Sequence, residues 1–150
     1  MPPPTGNSAV IKYYHAMDTF LSGGDNGPAF SLPQNLAQTN NTTSVPTLVA
    51  VRKDPGGPND SFVGFAQAQG SLQFDHWYSD YYSTDALYGY GAGSGGIQGG
   101  GDITNVWNTD PGNDNAVAIQ FTLGAISSPV TFSYHVAFGG EAAIDLDAND

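Results

Sequence analysis

Asp110, Asn113, Asp114 and Asn115 fall within six successive positions. Side-chain oxygen at that density suits Ca²⁺, a hard cation that takes six to eight oxygen ligands at about 2.3–2.6 Å. Asp18, Asp25 and Asn26 offer a second such group. Asp145, Asp147 and Asn149 carry the D-x-D-x-N spacing that opens an EF-type calcium loop. Position six of that loop is Asp150 where glycine is needed, so the motif is half a loop, or a solvated acidic tail. Tight turns compete for the same residues, because Asp and Asn side chains bond the backbone that follows them.

Other chemistry is thinly represented. His15, His76 and His135 are scattered and no H-E-x-x-H occurs. His76 beside Asp75 is the best acid–base candidate, with Asp80 as a further acid; a hydrolase would need them in one cleft. Glu141 is the only glutamate, so a glycosidase would have to use a pair of aspartates. Gly91 to Gly96 matches G-x-G-x-x-G, but within a glycine run that lacks the strand and helix a dinucleotide site requires. Trp77, Tyr88 and Tyr90 lie in the densest aromatic region. Exposed, such rings would stack on sugar faces; buried, they would pack the core. Tyr88 and Tyr90, inside the glycine-rich stretch, are the more exposed pair by this reasoning.

Composition narrows the partners. Fourteen acids face three bases, for a net charge of −11, although only 11% of residues are charged. Nucleic acid needs Lys and Arg to displace counterions, and anionic membranes need the same, so both are disfavoured. Cations are favoured. There is no cysteine, hence no disulfide, thiolate metal site or thiol nucleophile. No apolar run approaches the length of a membrane helix, so no membrane insertion is expected. The opening Met1 to Thr5 lacks the basic start and apolar core of a signal peptide, and the chain reads as a segment of something longer.

The elements that must position these groups are strands. Val117, Ile119, Phe121 and Leu123 alternate with smaller or polar residues, as do Val130, Phe132, Tyr134, Val136 and Phe138. Two successive period-two runs predict a C-terminal β-hairpin with one buried face. Further strands are expected at Ala9–Met17, Val45–Lys53, Ser61–Ala66 and Ile103–Trp107, with turns at Ser22–Pro28, Lys53–Asp60 and Asn108–Asn115. Residues 18–44 read as turn-dominated. Phe74, Trp77, Tyr78, Tyr81 and Tyr82 recur with helical spacing, so residues 71–82 are expected as a short helix, with an aromatic strand as the rival. Tyr88–Gly101 reads as an extended glycine-rich loop.

The fold class expected is all-β: an antiparallel β-sandwich over residues 9–142, after an extended lead-in at 1–8 and before an acidic linker at 143–150. Tyr13 to Phe20 followed by Gly24-Asp25-Asn26-Gly27, together with Asp114–Gly124 and Val130–Tyr134, resembles the opening and closing of β-sandwich modules in large secreted bacterial proteins. Such modules sit beside RTX-type calcium repeats or adhesin domains. The resemblance implies a secreted or cell-surface location and an accessory role. The expected function is therefore a non-catalytic structural or adhesion module, stabilised by calcium, whose partners are neighbouring domains of the same protein and a glycan or surface protein. A carbohydrate-binding module and a β-sandwich hydrolase are the alternatives.

Overall fold

The computed structural model describes residues 10–32, 45–54, 57–81, 97–103, 105–107, 114–124 and 128–140. Among these residues there are eight strands: β1 (Ile11–Asp18), β2 (Ala29–Leu32), β3 (Leu48–Lys53), β4 (Ser61–Gln67), β5 (His76–Tyr81), β6 (Val106–Trp107), β7 (Asn115–Gly124) and β8 (Tyr134–Gly139). They form two four-stranded sheets, ordered β1-β7-β5-β6 and β2-β3-β4-β8. All pairings are antiparallel except the two-residue β5–β6 pair. The expected all-β sandwich is what the chain forms.

The core is the space between the sheets. Val117, Ile119 and Phe121 of β7 and Trp77 of β5 meet Val49, Val51 and Phe65 from the other sheet, with Phe74 closing one end. Phe121 packs against Phe132 with ring centroids 4.4 Å apart, and Phe74 meets Phe121 edge-on. Burying such side chains stabilises by roughly 1.5–3 kcal/mol each. Ser79 faces the same interior and gives its hydroxyl proton to the Ala50 carbonyl of the facing sheet.

β7 is covered on both faces. Its outward residues Ala116 and Ala118 are fully buried beneath Tyr78, Ile103 and Ile97. Segment 97–103, whose first five residues close the stretch expected as an extended glycine-rich loop and whose last was expected to open a strand, lies across this outer face. Small side chains on β7 are what let a second layer approach the sheet so closely. Lys12 Nζ donates to the Gly100 carbonyl, Tyr14 Oη to the Gly101 carbonyl, and Ile103 N–H to Gln120 Oε1. These bonds make the segment a strap.

Two expectations are corrected. The final two strands are not a hairpin: β7 pairs with β1 and β5, whereas β8 pairs with β4 in the opposite sheet. Alternation identifies a strand but not its partner, and the chain changes sheet between the end of β7 and the start of β8. Within β8, Val136 and Phe138 face the same way as Phe65 and Val63 by register, yet they are 44% and 77% exposed. β8 is an edge strand, paired among the described residues with β4 alone.

The second correction concerns residues 71–82, where β5 replaces the expected helix. Trp77 enters the inter-sheet core and Tyr78 the layer beneath the strap, so both phases of this strand are apolar. A strand with bulky apolar side chains on both faces loses its period-two signature and can mimic helical spacing. Its start is fixed by Gln67, whose amide nitrogen donates to the Phe74 carbonyl while its oxygen accepts the Phe74 N–H. β2 also lies within the stretch expected as turns.

Candidate functional site

One loop, residues 19–28, brings together five of the polar residues singled out in the sequence: Asp18, Asp25, Asn26, Asp114 and Asn115. It leaves β1 through Thr19, whose N–H and hydroxyl both donate to the Asn115 carbonyl at 3.2 and 2.5 Å. Leu21 and Gly24 then exchange two backbone bonds around Ser22 and Gly23, both left-handed with φ of 47° and 80°. Two positive φ values in succession define the primed turn that suits a tight reversal. The left-handed backbone costs a non-glycine residue such as Ser22 roughly 1–2 kcal/mol. Gly27 follows, pressed so hard on β3 that a Cβ would overlap the Arg52 carbonyl oxygen. Arg52 N–H donates to the Pro28 carbonyl at 2.9 Å, which locks the loop to β3.

On one side of this loop lie acids. Asn26 forms a β-bridge with Asp114, and Asn115 N–H donates to the Asp25 carbonyl at 2.9 Å. The two oxygen-rich groups of the sequence, remote along the chain, therefore meet here. Burial pushes the Asp114 carboxyl pKa up, and the charges of Asp18 and Asp25 push it further the same way. Asp114 Oδ1 is buried without a hydrogen-bond partner, as are both polar atoms of the fully buried Asn115 side chain. Each such group costs about 1–3 kcal/mol of desolvation. Among the described residues no three carboxylate or histidine groups converge as a metal-chelating cluster. Asp110, Asn113, Asp145, Asp147 and Asn149 lie outside the described residues.

On its other side the loop walls a cavity of about 350 Å³, lined by Ser22, Asn26, Gly27, Pro28, Lys53, Asp54 and Asn59. Asp54 also has a left-handed backbone, with φ of 52°. Among the described residues, the two non-glycine residues in that conformation thus line one cavity. Asp54 Oδ2 accepts the Asn59 N–H, folding its own turn, and Ser22 Oγ donates to the Asn59 carbonyl at 2.9 Å. Lys53 Nζ donates to Asn26 Oδ1. Lys12 and Arg52 pair with Asp102 and Asp60, whereas the Lys53 ammonium faces an amide. Sequence reasoning treated Lys53–Asp60 as a turn and missed this cavity. The available signal was a lysine, one of three cations in the chain, set immediately before that turn.

The acid–base candidates are separated. His76 Nδ1 lies 3.0 Å from Asn105 Oδ1, and its Nε2 lies 3.7 Å from Asp102 Oδ1. Asp75 instead accepts the Thr122 N–H at 3.0 Å, and Asp80 sits four residues further along β5. Asp102 also receives Lys12 Nζ at 2.9 Å and Gln120 Nε2 at 2.5 Å. Those two hydrogen bonds, with the charges of His76 and Lys12, hold its carboxyl below the usual range. Asp102, Asn105 and Gln120 are the polar anchors of the strap, and none of them stood out in the sequence.

At the opposite edge, Tyr134 Oη lies 2.6 Å from His15 Nδ1 and 2.9 Å from Tyr13 Oη. Burial, followed by the bond to Tyr13, raises the Tyr134 pKa to about 12, and burial lowers that of His15. His135 is exposed on β8, as its phase implied. Trp77 is only 4% exposed, packed among Val49, Val51 and Ile119, so it offers no open ring face to a sugar. Tyr88 and Tyr90 lie outside the described residues.

Fold and site together define a class, an all-β sandwich whose polar groups gather at loop ends. No family model, curated protein or solved structure matches the chain.

Proposed function

We propose that this chain is a non-catalytic structural or adhesion module of a larger secreted or cell-surface protein. Its partners are neighbouring domains of that protein and a glycan or surface protein. The observation that carries this reading is the commitment of His76. Its Nδ1 is held by Asn105 Oδ1 at 3.0 Å and its Nε2 lies 3.7 Å from Asp102 of the strap, while its sequence neighbour Asp75 is bonded to the backbone of Thr122. A histidine so placed is oriented by the outer layer and is not paired with Asp75, the adjacent acid on which a hydrolase would draw.

Calcium belongs to the same proposal. The charges of Asp18 and Asp25 both oppose that of Asp114 where the first loop meets the start of β7, and Asp114 Oδ1 has no donor. A cation completed by backbone carbonyls and water would relieve both costs and brace the loop. The test presents the immobilised chain to polysaccharides and cell surfaces, and offers it ester, glycoside and peptide substrates. Retention without turnover is expected. Turnover abolished by His76→Ala, in a variant that still folds, would overturn the non-catalytic reading.

A further inference from the structure

We propose that the cavity between loop 22–28 and residues Lys53, Asp54 and Asn59 is a binding site for a carboxylated sugar, with Lys53 holding the carboxylate. This goes beyond the module reading and does not depend on it. An ammonium has three donors, and Lys53 uses one on Asn26 Oδ1. Among the described residues it pairs with no carboxylate, unlike Lys12 and Arg52. Two donors therefore remain for a ligand anion, in a charge-assisted bond.

The rest of the lining sets the ligand class. Asp54 and the amides of Asn26 and Asn59 supply acceptors and donors suited to hydroxyl groups. A small anion such as phosphate would bring its full negative charge close to the Asp54 carboxylate. A neutral sugar would satisfy Asp54 but leave the Lys53 charge unanswered. A hydroxylated carboxylate of the uronic-acid type satisfies both at once. At about 350 Å³ the cavity sits at the small end of ligand pockets, the scale of a single sugar ring. The net charge of −11 opposes anions at a distance. That field is screened beyond about 8 Å at physiological salt, so the local lysine governs the bound state.

The cavity also has a rigid frame. Gly27 is locked on the Arg52 backbone, the Leu21–Gly24 turn closes through two backbone bonds, and Ser22 is tied to Asn59 and Ser61. Its walls are thus held before any ligand arrives, which lowers the ordering cost of binding.

The test is an amide chemical-shift titration of the ¹⁵N-labelled chain with glucuronate, glucose and inorganic phosphate in parallel. Glucuronate is expected to give saturable shifts at residues 22–28 and 53–59, and the other two to bind at least about tenfold more weakly. Lys53→Met should abolish the response while Lys53→Arg retains part of it; the spectrum itself shows whether each variant folds. Equal binding of glucose would overturn the role of Lys53. Equal binding of phosphate would reduce the site to a simple anion contact and overturn the sugar. No saturable shift, or shifts confined to other residues, would overturn the proposal altogether.

Discussion

Gly27→Ala tests whether the first loop is positioned by direct backbone contact with β3. A Cβ at residue 27 would overlap the Arg52 carbonyl oxygen, lie 2.9 Å from its carbon and 3.3 Å from Lys53 Cα. These are backbone atoms in a paired strand and cannot rotate away. Comfortable contacts begin at about 3.2–3.5 Å and the oxygen overlap is the closest, so the loop would have to retreat by roughly 1 Å or more. That retreat strains the Arg52–Pro28 and Asn115–Asp25 backbone bonds, each worth about 1 kcal/mol net. Overpacking adds about 1–3 kcal/mol. The expected loss is roughly 2–5 kcal/mol, or about 5–15 °C in melting temperature for a chain of this size. Gly23→Ala is the companion, since φ is 80° there and nothing lies within 4 Å of an added Cβ. It should cost only the conformational penalty, roughly 1–2 kcal/mol. Calorimetry and urea unfolding of both variants decide the matter. If Gly27→Ala costs no more than Gly23→Ala, the contact does not hold the loop and the argument fails.

Three further outcomes follow from the same structure. Gln120→Leu leaves the Ile103 N–H without its acceptor and removes a donor from Asp102; a loss of about 2–4 kcal/mol in urea unfolding is expected, with faster amide exchange in residues 97–103. His15 has its pKa lowered in the fold by burial, so the unfolded chain binds the proton more tightly. Its contribution is intact above the ordinary value of 6.5 and shrinks as pH falls below it, so His15→Phe should flatten the loss of stability between pH 7 and 5. Asp114 has a raised carboxyl pKa, so its ionised form destabilises the fold above that value. Asp114→Asn should raise the melting temperature in chelator at pH 7. In the parent chain calcium at a hundredfold excess over Kd should add about 2.7 kcal/mol, a gain that Asp114→Asn removes. An unchanged melting curve in calcium and chelator would retire the calcium brace.

Strands were legible in the sequence wherever one face was wet or where strong turn residues bounded them. Leu48–Lys53 and Ser61–Gln67, flanking the Asp54–Asp60 turn, fall close to their expected limits. β5 was not legible, because Trp77 and Tyr78 are buried on opposite faces. β2 was hidden for a different reason: at four residues, it is too short to show a period. Partner choice was legible nowhere, and β8 shows why. Its alternation satisfies a hairpin with β7 as well as the observed pairing with β4, in which Tyr134 packs against His15 and Phe65. As for the site, residue type marked Asp18, Asp25, Asn26, Asp114 and Asn115. Their meeting depends on a bridge between Asn26 and Asp114, spanning 88 positions, which no local pattern encodes.

The layering explains why polar chemistry collects where it does. Between the sheets the space is filled by Val49, Val51, Phe65 and the inward face of β7, and outside β7 it is filled by the strap. Gln120 shows the consequence: it is fully buried on the outward face, and its amide bonds the strap and Thr122. Polar side chains on the middle of this sheet are therefore absorbed in holding a third layer. The Asp18 end of β1 and the Lys53 end of β3 escape that demand, because loop 19–28 runs between them with its own backbone bonds satisfied by Asn115 and Arg52. A loop held by main-chain contacts leaves its side chains available, acids on one side and an ammonium on the other. Ligand recognition by this chain is accordingly expected at that end of the sandwich, where a backbone perturbation at Gly27 would disturb both sides together.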